Sequence, residues 1–328
     1  MPISPDLLQA RLRLGGIFMP FARSRADALY PNRDHPARFV HYTSAEAALS
    51  IIRSKRFWTR NTMCMSDYRE VHYGFELLKA VFDGQNKGAE IRDALETCVP
   101  NVAQTAIDAF NLAWRDIPRN TYVGSLSEHD PAEDFHGRLS MWRAFGPQPA
   151  RVAIVLAVPW FADATEALSL MFSPVAYMTR AHVATELETV ARNIRENADF
   201  LRDVDRDLVR SYVSGMLVAA VTCMKHAGFH EEREWRVIYG PKRWPSKLME
   251  ESTEVVGGVP QLIYKVPLDA EKAPELAPID LAHILDRVII GPSLYPIAMY
   301  DAFADALNGI GVTDTHARIC VSDIPIRG

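Results

Sequence analysis

The sequence predicts an α+β protein: a mixed, largely antiparallel central sheet flanked by helices, with a long two-helix insertion. Three observations carry that expectation. Short β-branched and aromatic runs recur from Arg38 to Val321, helical runs of uneven length separate them, and the continuous apolar run Val152 to Val158 suits a strand covered on both faces. With 328 residues and 48% hydrophobic content the chain can bury a substantial core. The expected organisation is a leader helix and connector over 1–36, then one domain over 37–328 with the helical insertion at about 179–227.

Ser4-Pro5 opens a short helix through Leu7, Leu8 and Leu12 that Gly15-Gly16 is expected to stop, and Pro31 to Pro36 forms a polar connector. The first strong unit is the strand Arg38 to Ser44, with Ser44 placed to cap a helix over Ala45 to Lys55. A second strand holds Phe57-Trp58-Thr59. After an irregular stretch from Asn61 to Glu70, in which Ser66 or Asp67 is a candidate cap, helical spacing appears at Tyr73, Leu77, Leu78 and Val81. It resumes through Ile91 and Leu95, and again from Val102 to Trp114, before Pro118 ends the block.

Thr121 to Ser127 reads as a strand with Ser125 and Ser127 on one face, followed by an acidic turn and a short helix around Met141-Trp142. The insertion holds one helix marked by Val183, Leu187, Val190, Ile194 and Leu201, and a second marked by Leu208, Tyr212, Met216, Ala220 and Met224. Gly228 is expected to end the second helix directly before a strand at Glu232. Residues 241–258 read as a loop, either a lid or a surface insertion. Strands follow at Gln261 to Val266, Arg287 to Gly291 and Arg318 to Val321, with a helix from Pro296 to Leu307 between the last two.

Composition narrows the function. The 36 Lys+Arg against 41 Asp+Glu leave a formal charge of -5, which gives no reason for non-specific binding to nucleic acid or to a membrane surface. Cys64, Cys98, Cys223 and Cys320 are far apart, so neither a zinc ribbon nor a disulfide framework is indicated. No secretory signal and no apolar stretch of membrane-spanning length appears, and the expected location is the cytoplasm. Phosphate-loop, dinucleotide-fold, zincin and hydrolase-elbow motifs are missing, and the histidines show no ligand spacing, so no metal site is expected.

Three polar features remain, each on a strand of an otherwise apolar sheet: His41-Tyr42-Thr43, Ser125-x-Ser127 and Glu232-x-Glu234. Buried polar side chains cost free energy unless paired, so their convergence would mark a ligand site. Strand alternation through Glu231 to Tyr239 would place Glu232, Glu234 and Arg236 on one face. Two readings follow: a carboxylate pair in a cleft, or a strand start where Arg236 neutralises Glu234.

The ordered series His-Tyr-Thr-Ser, Trp58, the Asn61 to Glu70 segment, the serine strand, Met141-Trp142, Glu232-x-Glu234-Trp235-Arg236 and Val288-Ile289-Ile290-Gly291-Pro292 resembles a widespread uncharacterised bacterial family, a domain of unknown function, from about Arg38 onward. The order of histidine, serine and glutamate strands is also similar to that of ADP-ribosyltransferases. That second resemblance implies NAD as substrate, His41 at the nicotinamide ribose, Ser125 or Ser127 ordering the site, Glu234 as the catalytic acid and Glu232 orienting the nucleophile. Tyr42 or Trp58 would stack on nicotinamide, with Thr43 beside them. A macromolecular acceptor, protein or nucleic acid, and a role as a toxin or anti-phage defence effector would follow. The alternatives are a non-catalytic nucleotide- or protein-binding regulatory protein, and a carboxylate-metal nuclease or hydrolase using Asp67, Glu70, Glu232 and Glu234.

Overall fold

A computed structural model describes residues 4–65, 69–84, 86–144, 150–160 and 162–325. Ser4 caps α1 (Pro5–Phe18) by accepting the Leu7 N–H at 3.3 Å. The helix runs through Gly15-Gly16 instead of stopping there, because burial of Leu14, Ile17 and Phe18 outweighs about 1 kcal/mol of propensity per glycine. After α2 (Pro20–Leu29) and the connector, β1 (Ala37–Ser44) leads into α3 (Ala45–Ser54), with Ser44 accepting the Ala47 N–H at 3.2 Å. Then come β2 (Arg56–Asn61) and the helical block α4 (Arg69–Phe82), α5 (Lys87–Glu96) and α6 (Val102–Ala113). The candidate caps Ser66 and Asp67 lie outside the described residues.

β3 (Tyr122–Glu128) and α7 (Leu139–Ala144) precede β4 (Arg151–Val158), which is paired on both edges as its apolar run requires. Three short elements with too few residues to display a period come next: α8 (Ala162–Ala167), β5 (Leu170–Pro174) and β6 (Ala176–Tyr177). The insertion is α9 (Arg180–Glu196), α10 (Ala198–Asp203) and α11 (Arg206–Thr222), so Leu201 belongs to a separate short helix. α11 ends at Thr222, not Gly228. β7 (Met224–Lys225) and a 3-10 turn over Ala227–Glu232 come before β8 (Glu234–Tyr239).

The stretch 241–258 is only partly loop, because β9 (Glu250–Val256) forms a hairpin with β10 (Val259–Pro267). Gly257 and Gly258, at φ 60 and 80, supply the paired left-handed conformations of such a turn. α12 (Leu281–Ile284), β11 (Leu285–Ile290), α13 (Pro296–Gly309) and β12 (Ile319–Val321) complete the chain.

By its contacts the chain divides into two compact units: a helical unit of segments 1–29, 61–121 and 173–230, and a sheet unit of segments 30–60, 122–172 and 231–328. In the helical unit, α1 packs on α9 and α11, so the leader is a layer of that unit's core. The sheet unit holds the order β12-β11-β4-β1-β3-β2-β10-β9, with β8 on the second edge of β3 and β5 beyond β8; β1 with β3 and β4, β4 with β11, β10 with β2 and β9, and β3 with β8 pair antiparallel, and β11 with β12 parallel. No helix among the described residues is long and apolar enough to cross a membrane.

Candidate functional site

The sheet splits at its centre. β1 stays paired with β4 along its whole length, but it meets β3 at only two register positions, Phe39 with Glu128 and Val40 with Ser127. Beyond them β3 takes β2 as its neighbour. At the split the His41 imidazole stands where a ladder bond would run, its Nδ1 2.9 Å from the Ser125 carbonyl oxygen. A carbonyl only accepts, so Nδ1 carries the proton. Burial lowers the His41 pKa and favours the neutral ring, which leaves Nε2 as a bare acceptor. Among the described residues Nε2 makes no hydrogen bond.

On the other edge of β3, Ser125 lies opposite Arg236 and Ser127 opposite Glu234. The Ser125 hydroxyl donates to Glu234 Oε1 at 2.6 Å, and Arg236 grips the same carboxylate through Nε at 2.8 Å and Nη2 at 3.2 Å. Glu234 is 5% and Arg236 2% exposed, so this two-point ion pair is desolvated. Of the two sequence readings, the pairing of Arg236 with Glu234 holds. His41, Ser125, Glu234 and Arg236 thus form one hydrogen-bonded chain, whose first link passes through a backbone carbonyl.

The remaining expected site residues separate into three groups. Glu232 is not on the strand: it ends the 3-10 turn, and Arg233 at φ 44 breaks the alternation that would have put it beside Glu234. Tyr42 is 3% exposed, meets the Trp142 ring edge-on at 4.9 Å and accepts the Arg138 backbone N–H at 2.7 Å, so it packs the core and offers no face for stacking. His41 and Thr43 alternate with Tyr42 and so leave β1 on the opposite pleat from Ser125, Ser127 and Glu234. The edge-on contact of His41 with Phe57 at 5.0 Å accords with that placement. Trp58 lies under Lys265 Nζ at 5.2 Å, and its indole N–H is buried without a partner. Of the carboxylates in the hydrolase reading, Asp67 and the Glu70 side chain lie outside the described residues. No cluster of three or more metal-ligating side chains occurs among the described residues.

Sequence reasoning missed Arg138. Its guanidinium makes five hydrogen bonds: to both Glu133 carboxylate oxygens and to the carbonyls of Glu128, Glu231 and Glu232. It thereby ties the end of β3 to the turn that starts β8. The one sequence signal was an arginine following an acidic turn.

Two other quoted motifs turn out to be packing devices. A Cβ at Gly291 would lie 2.9 Å from the Trp142 ring and one at Gly137 2.6 Å from it, so both glycines exist to let that fully buried indole in. Trp235, between Glu234 and Arg236, donates its indole N–H to Glu128 at 2.8 Å and packs against Phe39 and Phe172.

Fold and site together define an α+β protein whose largely antiparallel sheet splits on one edge of β3 at His41 and holds a buried serine, glutamate and arginine cluster across the other edge. Residues 141–237 match the family model described as Protein of unknown function (DUF2971). The matched span runs from Met141-Trp142 to the E-x-E-W-R strand, and is narrower than the span from about Arg38 over which the motifs are ordered. No curated protein and no solved structure matches the chain.

Proposed function

We propose that this chain is an NAD-consuming enzyme of the ADP-ribosyltransferase type, cleaving the nicotinamide glycosidic bond and passing ADP-ribose to a macromolecular acceptor, as a toxin or a defence effector would. The observation that carries this reading is the continuous chain from His41 through Ser125 to Glu234 at the split of the sheet. A bare Nε2 on His41 suits a ribose hydroxyl donor. Paired with Arg236 at 2.8 Å, Glu234 is a carboxylate fixed in place, and in this reading it acts as an electrostatic stabiliser of the positive charge that develops on the sugar as nicotinamide leaves, not as a proton donor.

A second reading, a non-catalytic nucleotide-binding regulator, is favoured by the grip of Arg236 on both Glu234 oxygens and by the opposite pleat positions of His41 and Glu234. One experiment separates the two. Purified protein is incubated with NAD while nicotinamide release and NAD binding are followed in parallel. The transferase reading expects release, and a loss of about a hundredfold or more in Glu234→Gln, the scale typical of removing one electrostatic stabiliser. Binding without release would leave the regulator, and a protein that neither binds nor cleaves NAD would remove the transferase reading.

A further inference from the structure

The helical unit contains an apolar cavity of about 90 Å³, remote in sequence from the motifs above and lined by Phe18, Phe21, Leu78, Val190 and Met216 among others. One carboxylate looks into it. Glu186, on α9, accepts the backbone N–H of Phe21 at 2.7 Å through Oε1 and so closes the first turn of α2. Its Oε2 makes no hydrogen bond among the described residues, and no lysine, arginine or histidine lines the cavity. Burial raises the carboxyl pKa, as expected for a carboxylate facing hydrocarbon without a cation. Met19, Phe21, Ala22, Met178 and Glu186 are all half-exposed, so the cavity reaches solvent at the carboxylate end.

We propose that this cavity is a binding site for a small alkylammonium ligand, whose cationic head pairs with Glu186 Oε2 and whose chain fills the apolar space. Three features argue for this class. The lining is hydrocarbon and thioether apart from Glu186, Ser173 and Cys223. Ser173 turns its hydroxyl to the Pro174 carbonyl, and the Cys223 thiol meets Thr222, which leaves Glu186 as the polar group available to a ligand. A carboxylate with one oxygen fixed by a backbone N–H and the other open selects a donor, and an ammonium also supplies the missing charge. Size limits the tail: an engineered cavity of roughly 150 Å³ takes up benzene, so one of about 90 Å³ holds about three or four carbons. The site is independent of the transferase reading.

The test uses the full chain with methyl-labelled methionine and n-butylammonium as the probe. Met178, Met216 and Met224 line the cavity, so their methyl resonances are expected to shift saturably. Glu186→Gln keeps an oxygen for Phe21 and is expected to weaken binding about tenfold, the loss of one charge-assisted hydrogen bond. Ala220→Leu, which fills the cavity from α11, is expected to abolish the shifts. Methionine methyls that do not move, equal affinity of Glu186→Gln and the parent chain, or equal affinity for n-butanol would each overturn the proposal.

Discussion

Arg138 shows how much one side chain can fix. All its nitrogen donors reach oxygens, and the carbonyls it holds belong to the residues just before β8 and at the end of β3. Its removal would leave Glu133 beside the buried His129 ring without its cation, and would take away the donors that Arg138 supplies to three carbonyls. Arg138→Ala is therefore expected to lower the unfolding free energy by about 3 kcal/mol or more, measured by denaturant titration. Arg138→Lys should recover only part of it, because an ammonium cannot reproduce the planar fork. Glu234 was legible as a candidate, since a charged residue opening an apolar strand is unusual. Glu232 was misread for a local reason: period-two reasoning assumes an unbroken strand, and the left-handed Arg233 delays the strand's start to Glu234.

At the scale of elements, close approach matters more than propensity. α4 and α11 meet so tightly at Gly74 that a Cβ there would lie 2.9 Å from the Ala220 carbonyl oxygen and 3.0 Å from the Val221 backbone. Gly74→Ala should thus destabilise the helical unit by about 1–3 kcal/mol, although alanine favours a helix by about 1 kcal/mol over glycine. A rise in melting temperature would contradict that packing. α3, α4 and α6 were readable from their apolar period and β4 from its continuous apolar run, because each of these signals lies within the element itself. β9 was not: half-buried Glu250 and Glu254 alternate with exposed Glu251 and Thr253, and it becomes a strand because β10 offers an edge.

Across the whole molecule, buried histidines set the acid side of stability. His129, its side chain fully buried and bonded to Asp134 at 2.8 Å, has its pKa lowered by burial, as does His41. The unfolded chain therefore binds protons at these sites more readily than the folded one. The associated stability is full above the ordinary histidine pKa of about 6.5 and is lost as pH falls through the lowered folded values. Asp134 faces opposed effects: burial raises its pKa, while Arg38 and His129 lower it and prevail, which adds a further loss below about pH 4. Unfolding free energy measured from pH 7.5 to 5 is expected to fall, and the slope should flatten in His129→Asn, whatever its absolute stability. An unchanged slope would count against a buried neutral His129.

The sequence by itself determined the α+β class, the mixed and largely antiparallel sheet, most of the long elements and the membership of His41, Ser125 and Glu234 in an ordered polar series. Those follow from side-chain period, caps and the cost of burying polar groups, all of which act over a few residues. Tertiary structure alone decided the two-unit division, the split between β1 and β3, and the partner of Arg236. A choice of neighbour depends on which segments, far apart in the chain, can bury their faces together. Whether Glu234 meets a ligand or an arginine was therefore fixed by the register that sets Ser125 across from Arg236, a relation between strands that neither strand encodes alone.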